Sequence, residues 1–190
     1  LQLDLPFFHH PDQDAHVRHF TDISDAIDIG IMIYNTHWFC SDPAKEYVNA
    51  DTMLRLKQAE RVVAIKWSVP SGENYDQMCR FSDVFNVIDN TGAEIRCHRN
   101  GGRGYISSII PGYAAYDIEL WNLLEAGCYD EAQAQKDRVV AAFSPGGATA
   151  KPMLAAIGRP VGPSRPPSLS TDDAQIAIAR KAMIELGWSV

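Results

Sequence analysis

Nothing in the sequence approaches the ~20 consecutive apolar residues that a bilayer-spanning helix needs, and no basic stretch precedes an apolar one near the start. Membrane association is therefore not expected. Basic residues are scarce relative to acidic ones, seventeen against twenty-four for a net charge of −7, and they form no cluster. That balance opposes nucleic-acid binding. The four cysteines, Cys40, Cys79, Cys97 and Cys128, include no C-x-x-C pair, which argues against a zinc knuckle or a disulfide scaffold and for a reducing, cytoplasmic compartment. The six histidines lack H-x-x-x-H spacing, and no glycine-rich fingerprint follows the first strand-like run, so zincin-type and dinucleotide-binding chemistry have no signature.

What is present is the composition of an ordinary soluble globular protein, 46% hydrophobic and 22% charged over 190 residues. Short apolar runs alternate with stretches of helical period, which is the pattern of consecutive βα units and a parallel sheet. The strand-like runs are Leu1–Phe8, Ile29–Tyr34, Arg61–Lys66, Phe85–Ile88 and Gly104–Ile106. Between them, Val17, Phe20, Ile23 and Ile27 mark one apolar helix face; a second helix is expected from Asp51, a third over Tyr75–Phe85 after a Pro70-Ser71-Gly72 break, and a short one over Ala93–Arg99 closed by Gly101-Gly102. From Tyr116 onward only helical periodicity remains. Helices are expected from there to Gly127, over Asp130–Phe143 and Lys151–Ile157, and from a Thr171-Asp172-Asp173 cap to Gly187. The organisation is thus α/β over residues 1–115 and helical over residues 116–190. The chain opens on Leu1, already inside a strand-like run, which predicts an N-terminal portion preceding it.

In a (β/α)8 barrel the reactive groups sit at the C-terminal ends of the strands. Those ends are Phe7, Phe8, His9 and His10; Tyr34 and Asn35; Lys66; Asp89 and Asn90; and Ser107 and Ser108. Lys66 closes a Val-Val-Ala-Ile run with no carboxylate beside it in sequence. Desolvated there, its amine would lose its proton near neutral pH and become a nucleophile toward carbonyls; the alternative is a lysine that reaches out to solvent from a strand end. Tyr34 ends the preceding strand and is either a proton-transfer group or a packing aromatic. His9, His10 and His37 with Asp89 could hold a metal, or simply line a polar cleft. Trp38, Phe39 and Trp67 could line a pocket for an aromatic or hydrophobic substituent, or pack on the rim.

Ile31-Met32-Ile33-Tyr34-Asn35 and Val63-Ala64-Ile65-Lys66, with Pro6-Phe7-Phe8 upstream and Gly102-Arg103-Gly104-Tyr105-Ile106-Ser107 downstream, resemble the dihydrodipicolinate synthase and N-acetylneuraminate lyase family. The tail segments Leu120–Gly127 and Gly158–Pro167 resemble that family's C-terminal helical region. The resemblance implies the second half of a (β/α)8 TIM barrel, about strands 4 to 8, plus the helical region. It also implies a lyase, aldolase or dehydratase, acting on a 2-keto acid such as pyruvate or a 2-keto-3-deoxy sugar acid through a Schiff base. Lys66 would be the Schiff-base lysine and Tyr34 the catalytic tyrosine. Phe8, Asn35, His37, Phe39, Asn90 and Ser107 are expected to bind substrate. No cofactor or metal is implied, and a homodimer or homotetramer is. Two departures stand out. The family's Gly-Thr-Thr-Gly-Glu segment, which binds the keto-acid carboxylate, is absent from this chain; and Phe39 stands where synthases carry an arginine. Lys66-Trp67-Ser68 and Ile88-Asp89-Asn90 look more like members acting on sugar-derived or aryl keto acids. The competing readings are a metal-dependent TIM-barrel hydrolase or lyase, and a truncated, non-catalytic homologue.

Overall fold

The computed structural model describes residues 1–68, 74–144, 146 and 149–190, so the Pro70-Ser71-Gly72 break lies outside the described residues. The chain forms two compact units, Leu1–Ile106 and Ser107–Val190.

The first unit is built on five parallel strands: β1 (Gln2–Asp4), β2 (Ile31–Asn35), β3 (Val62–Trp67), β4 (Asn86–Asp89) and β5 (Gly104–Tyr105). Their spatial order is their order in sequence. A doubly wound sheet would reverse direction partway; an uninterrupted parallel order is that of an arc of a βα barrel. Between β1 and β2 runs α1 (Gln13–Ala26), whose start is fixed by Asp12 accepting from the Ala15 amide. Between β2 and β3 come α2 (Pro43–Glu46) and α3 (Ala50–Arg55), the latter capped by the Asn49 side chain on Thr52 N–H. Between β4 and β5 lies α4 (Glu94–Arg99).

Strand alternation decides which side chains meet the helices. Ile31, Ile33 and Asn35 of β2, Ile65 and Trp67 of β3, and Val87 and Asp89 of β4 are buried. The apolar ones pack in one core with Val17 and Phe20 of α1, Met53 of α3, and Leu56, Met78 and Phe81. The opposite face carries Met32, Tyr34, Ala64, Lys66 and Ile88, all only partly buried. Val63, which sequence places inside a buried run, is 44% exposed. Ile31 pairs with Val62 but Met32 with Ala64, so Val63 is the extra residue of a bulge.

Two sequence expectations shift for identifiable reasons. The first strand ends at Asp4, not Phe8, because Pro6 has no amide to continue the ladder. Residues Phe7–His9 instead form a 3₁₀ turn, closed by His10 with φ 45°. The helix expected over Tyr75–Phe85 is a 3₁₀ segment, Tyr75–Arg80, pinned by Trp67 Nε1 donating to the Tyr75 carbonyl and by Asp76 accepting from Arg96 and Asn100. The Gly101-Gly102 stop reads as expected. Gly101 has φ 84°, and a Cβ on Gly102 would lie 2.9 Å from the Cys97 carbonyl oxygen.

The second unit holds α5 (Ile110–Glu125), α6 (Tyr129–Ala142), α7 (Ala150–Ala156) and α8 (Asp173–Glu185). Helix α5 begins ahead of Tyr116 with Pro111 in its first turn, and is kinked at Tyr113. Gly127, φ 74°, follows its end. Asp172 and Gln175 cap α8 reciprocally. Trp188 stacks on Tyr113 at 4.5 Å between ring centroids and packs against Tyr116 and Phe143.

Candidate active site

The register of the sheet lines up one row of side chains. Asp4 pairs with Tyr34, Tyr34 with Lys66, Lys66 with Ile88, and Ile88 with Gly104. Residues in register on neighbouring parallel strands project from the same face. The row therefore lies on the face away from the helices, close to the C-terminal ends of the strands. Its geometry is tight at the centre, where the Lys66 Nζ lies 3.8 Å from the centroid of the Tyr34 ring. Burial lowers the pKa of the Lys66 ammonium below its ordinary value, while the negative charge of Asp4 acts in the opposite direction. Sequence neighbours contain no acid, but the acid comes from two strands away, which adjacency in the chain does not reveal.

Asn90 organises the other side of Tyr34. Its backbone N–H donates to the Trp67 carbonyl at 3.2 Å. Its side-chain Nδ2 donates to the Tyr34 hydroxyl oxygen at 3.1 Å and to Ser68 Oγ at 3.0 Å. Occupying a lone pair of the phenol orients its proton away from Asn90, a fixed arrangement suited to directed proton transfer. Trp38 meets the Tyr34 ring edge-on at 6.0 Å.

The loop after β2 that carries His37, Trp38 and Phe39 is anchored from two sides. Gln13 Nε2 donates to the Lys45 and Tyr47 carbonyls. The buried Glu46 carboxylate accepts from the amides of Ser41 and Asp42 and meets His10 Nδ1 at 3.0 Å. A loop tied at that many points can present its aromatic tip reproducibly.

Of the residues singled out in sequence, Lys66, Tyr34 and Asn90 are brought into one contact group. His37 is adjacent to it, with its Nδ1 3.3 Å from the Ser68 carbonyl oxygen. Phe8 and Phe39 are joined through Phe7, at 4.5 and 5.0 Å between ring centroids, and are 83% and 59% exposed. Asn35 is a correction. It follows Tyr34, so alternation turns it to the helix side, where it is fully buried. Its amide donates to the Val48 carbonyl at 2.8 Å and accepts from the Val48 N–H at 3.1 Å, so it ties the loop to the strand instead of facing substrate. Ser107 opens the second unit, and its hydroxyl accepts from the Ile109 amide.

Asp89, the carboxylate required by a metal-dependent reading, also faces the helices. It is fully buried and accepts from the Tyr75 hydroxyl, the Thr91 amide and hydroxyl, and the Ala93 amide. Among the described residues, no three His, Cys, Asp or Glu side chains are grouped to hold a metal ion. A cavity of about 300 Å³ is lined by Tyr47, Asp51, Trp67, Gln77 and Arg80 among others, but not by Lys66; Trp67 places it on the helix side of the sheet. Ser68 and Asp4 are additions to the site. Ser68 is two residues beyond Lys66 and hence on its face; Asp4 is an acid interrupting Leu3 and Leu5. Period-2 alternation places Ser68 on the face of Lys66, whereas the alignment of Asp4 with Lys66 depends on the register between three strands.

A model of the dihydrodipicolinate synthetase family matches residues 4–182. The 4-hydroxy-tetrahydrodipicolinate synthase 1 of Streptomyces coelicolor is 28% identical over 185 residues, covering 88% of this chain and 56% of that protein. The 4-hydroxy-tetrahydrodipicolinate synthase of Symbiobacterium thermophilum is 26% identical over 196 residues, covering 98% and 65%. Among solved structures, dihydrodipicolinate synthase from Thermotoga maritima superposes with a TM-score of 0.75 at 21% identity, over 98% of this chain and 65% of that one. The chain thus spans 56–65% of the length of these relatives. The structural match carries the fold, that of a TIM barrel.

Proposed function

The chain belongs to the dihydrodipicolinate synthetase family, and on that premise we propose that it carries the catalytic half of a lyase that activates a 2-keto acid as a Schiff base on Lys66. One observation carries the reading: a lysine amine, depressed in pKa by burial, lies 3.8 Å over the ring of a tyrosine whose hydroxyl is held by Asn90. On this reading residues 1–106 supply the fourth through eighth strands of the barrel and residues 107–190 its helical region. The length that the relatives have beyond this chain would supply the carboxylate-binding segment. A cytoplasmic homodimer or homotetramer is part of the same proposal.

The chemistry follows from the residues. The neutral Lys66 amine adds to the C2 carbonyl; the carbonyl oxygen, after accepting two protons, leaves as water, and the nitrogen retains one proton as an iminium. That cation withdraws the electrons released when a proton or a carbon–carbon bond is lost at C3, so no separate electron sink is needed. Tyr34 is within reach of the nitrogen and its substituents and would move the protons. Asn90 orients the phenol, and Ser68 holds Asn90. Aldol cleavage and dehydration share these steps.

Phe39 bears on the substrate's far end. It stands in an exposed group with Phe7 and Phe8, so at this position a second carboxylate would meet a phenyl ring in place of a guanidinium. Aspartate semialdehyde is therefore expected to be a poor partner for pyruvate in the full-length protein. A missing charge-assisted contact is worth about 1.5–3 kcal/mol, or roughly 10–150-fold in kcat/KM. The assay compares the semialdehyde with a panel of 2-keto-3-deoxy sugar acids and aryl-substituted keto acids. Efficient condensation with the semialdehyde, and inactivity on the panel, would overturn this assignment.

A further inference from the structure

We propose that the Asp4 carboxylate is the counter-charge of the cationic nitrogen on Lys66, acting across the Tyr34 ring both before and after the imine forms. This rests on the Schiff-base reading above and adds to it a residue at the far end of the same row. Three observations converge on it.

The first is register. Asp4, Tyr34 and Lys66 are mutually in line on adjacent strands, so their side chains share a face, with Tyr34 in the middle. The second is the direction in which Lys66 extends. With Nζ over the Tyr34 ring, the lysine has left its own strand and crossed toward β1, the strand that bears Asp4. A tyrosine ring accepts a cation on its face, so the phenol serves as a bridge between the two charges. The third is what each group lacks. Arg55, Arg61, Arg80, Arg96 and Lys45 all have carboxylate partners in this unit. Among the described residues, neither Lys66 nor Asp4 belongs to an ion pair closer than 4 Å. Asp4 is itself exposed on β1, so its charge reaches Lys66 through a partly screened medium and leaves the carboxylate available to answer a cation on this face.

The groups that face Lys66 can be named element by element. They are Asp4 from β1, Tyr34 from β2, and Ile88 with the neutral Asn90 from β4 and its end; from the loop after β2 comes His37, turned to the Ser68 carbonyl. Asp89 points to the other face. Among the described residues Asp4 is thus the one carboxylate in the group, and its effect on Lys66 runs in the required direction, favouring the protonated nitrogen against the burial that disfavours it. Its function follows from the chemistry. The imine withdraws electrons only while its nitrogen is protonated, and a negative charge across the ring keeps it so to higher pH. Asp4 acts through Lys66 and not on substrate, which makes it a positioning residue.

The test uses the full-length protein and its Asp4→Asn and Asp4→Glu variants. Each is incubated with pyruvate and cyanoborohydride, which reduces the protonated imine, and the rate of covalent labelling of Lys66 is followed as a function of pH. Removing the negative charge is expected to move the alkaline limb of that profile to lower pH by roughly 0.5–1 unit, the scale of a single charge acting through a partly screened medium. Asp4→Glu is expected to return it to the wild-type position. A structural role would lower the rate at every pH without moving the limb. An unmoved limb in Asp4→Asn, or an upward shift, overturns the proposal while labelling of the wild type leaves the lysine assignment standing. No labelling of wild-type Lys66 overturns both, and so identifies the Schiff-base reading as the point of failure.

Discussion

Lys66→Ala in the full-length protein is expected to reduce turnover of its 2-keto acid to background, a loss of roughly 10⁴–10⁶-fold by comparison with removal of covalent nucleophiles elsewhere. The physical reason is that no other lysine can substitute. Lys45 is exposed on α2 and paired with Asp42; Lys151 in the second unit donates to the carbonyls of Gly162 and Pro163; Lys181 pairs with Glu185 along α8. Lys57 lies in the turn after α3 and Lys136 within α6. Lys66 is the lysine that the register places on the inner face of the sheet. The substitution removes no buried contact of the helix-side core, so folding measured by circular dichroism should be retained. Turnover within a factor of ten of wild type would exclude a covalent role.

Tyr34→Phe is expected to separate two steps that Lys66→Ala removes together. The phenyl ring keeps its place beneath the Lys66 amine and against Trp38, so imine formation remains possible. What is lost is the hydroxyl that Asn90 holds, and with it a positioned acid and base worth roughly 10²–10⁴-fold in rate. Single-turnover kinetics should therefore show the reducible adduct accumulating while product formation slows by that factor. A kcat close to wild type would leave Tyr34 as a packing aromatic of the rim.

Much of this arrangement is readable in the chain itself, for a definite reason. The β-branched runs fall on strands in sequential parallel order, so each strand's last residues must converge on one rim. That is enough to bring Tyr34, Lys66 and Asn90 together from sequence. The details that escape it are those set by the pleat and by long-range partners. Asn35 follows Tyr34 so closely that an alternation of one residue separates a substrate-facing group from one tied to Val48. Asp89 and Asn90 are divided in the same way, the first capping the approach to α4 and the second reaching Tyr34. Val63 appears buried in a β-branched run, but a bulge exposes it. Asp4 acts on Lys66 from two strands away, a distance of sixty-odd residues in sequence that no local pattern spans. The 3₁₀ turn at Phe7–His9 depends on Pro6, whose missing amide ends the first strand early.

The account turns on the covalent role of Lys66, and the most direct measurement is mass spectrometry of the full-length protein after incubation with pyruvate and borohydride. The reduced imine adds the mass of pyruvate less one oxygen atom, and tryptic mapping locates it. The prediction is a single adduct on the peptide containing Lys66, absent from Lys66→Ala. An adduct confined to another lysine, or none under conditions where the protein turns over its keto acid, would contradict it.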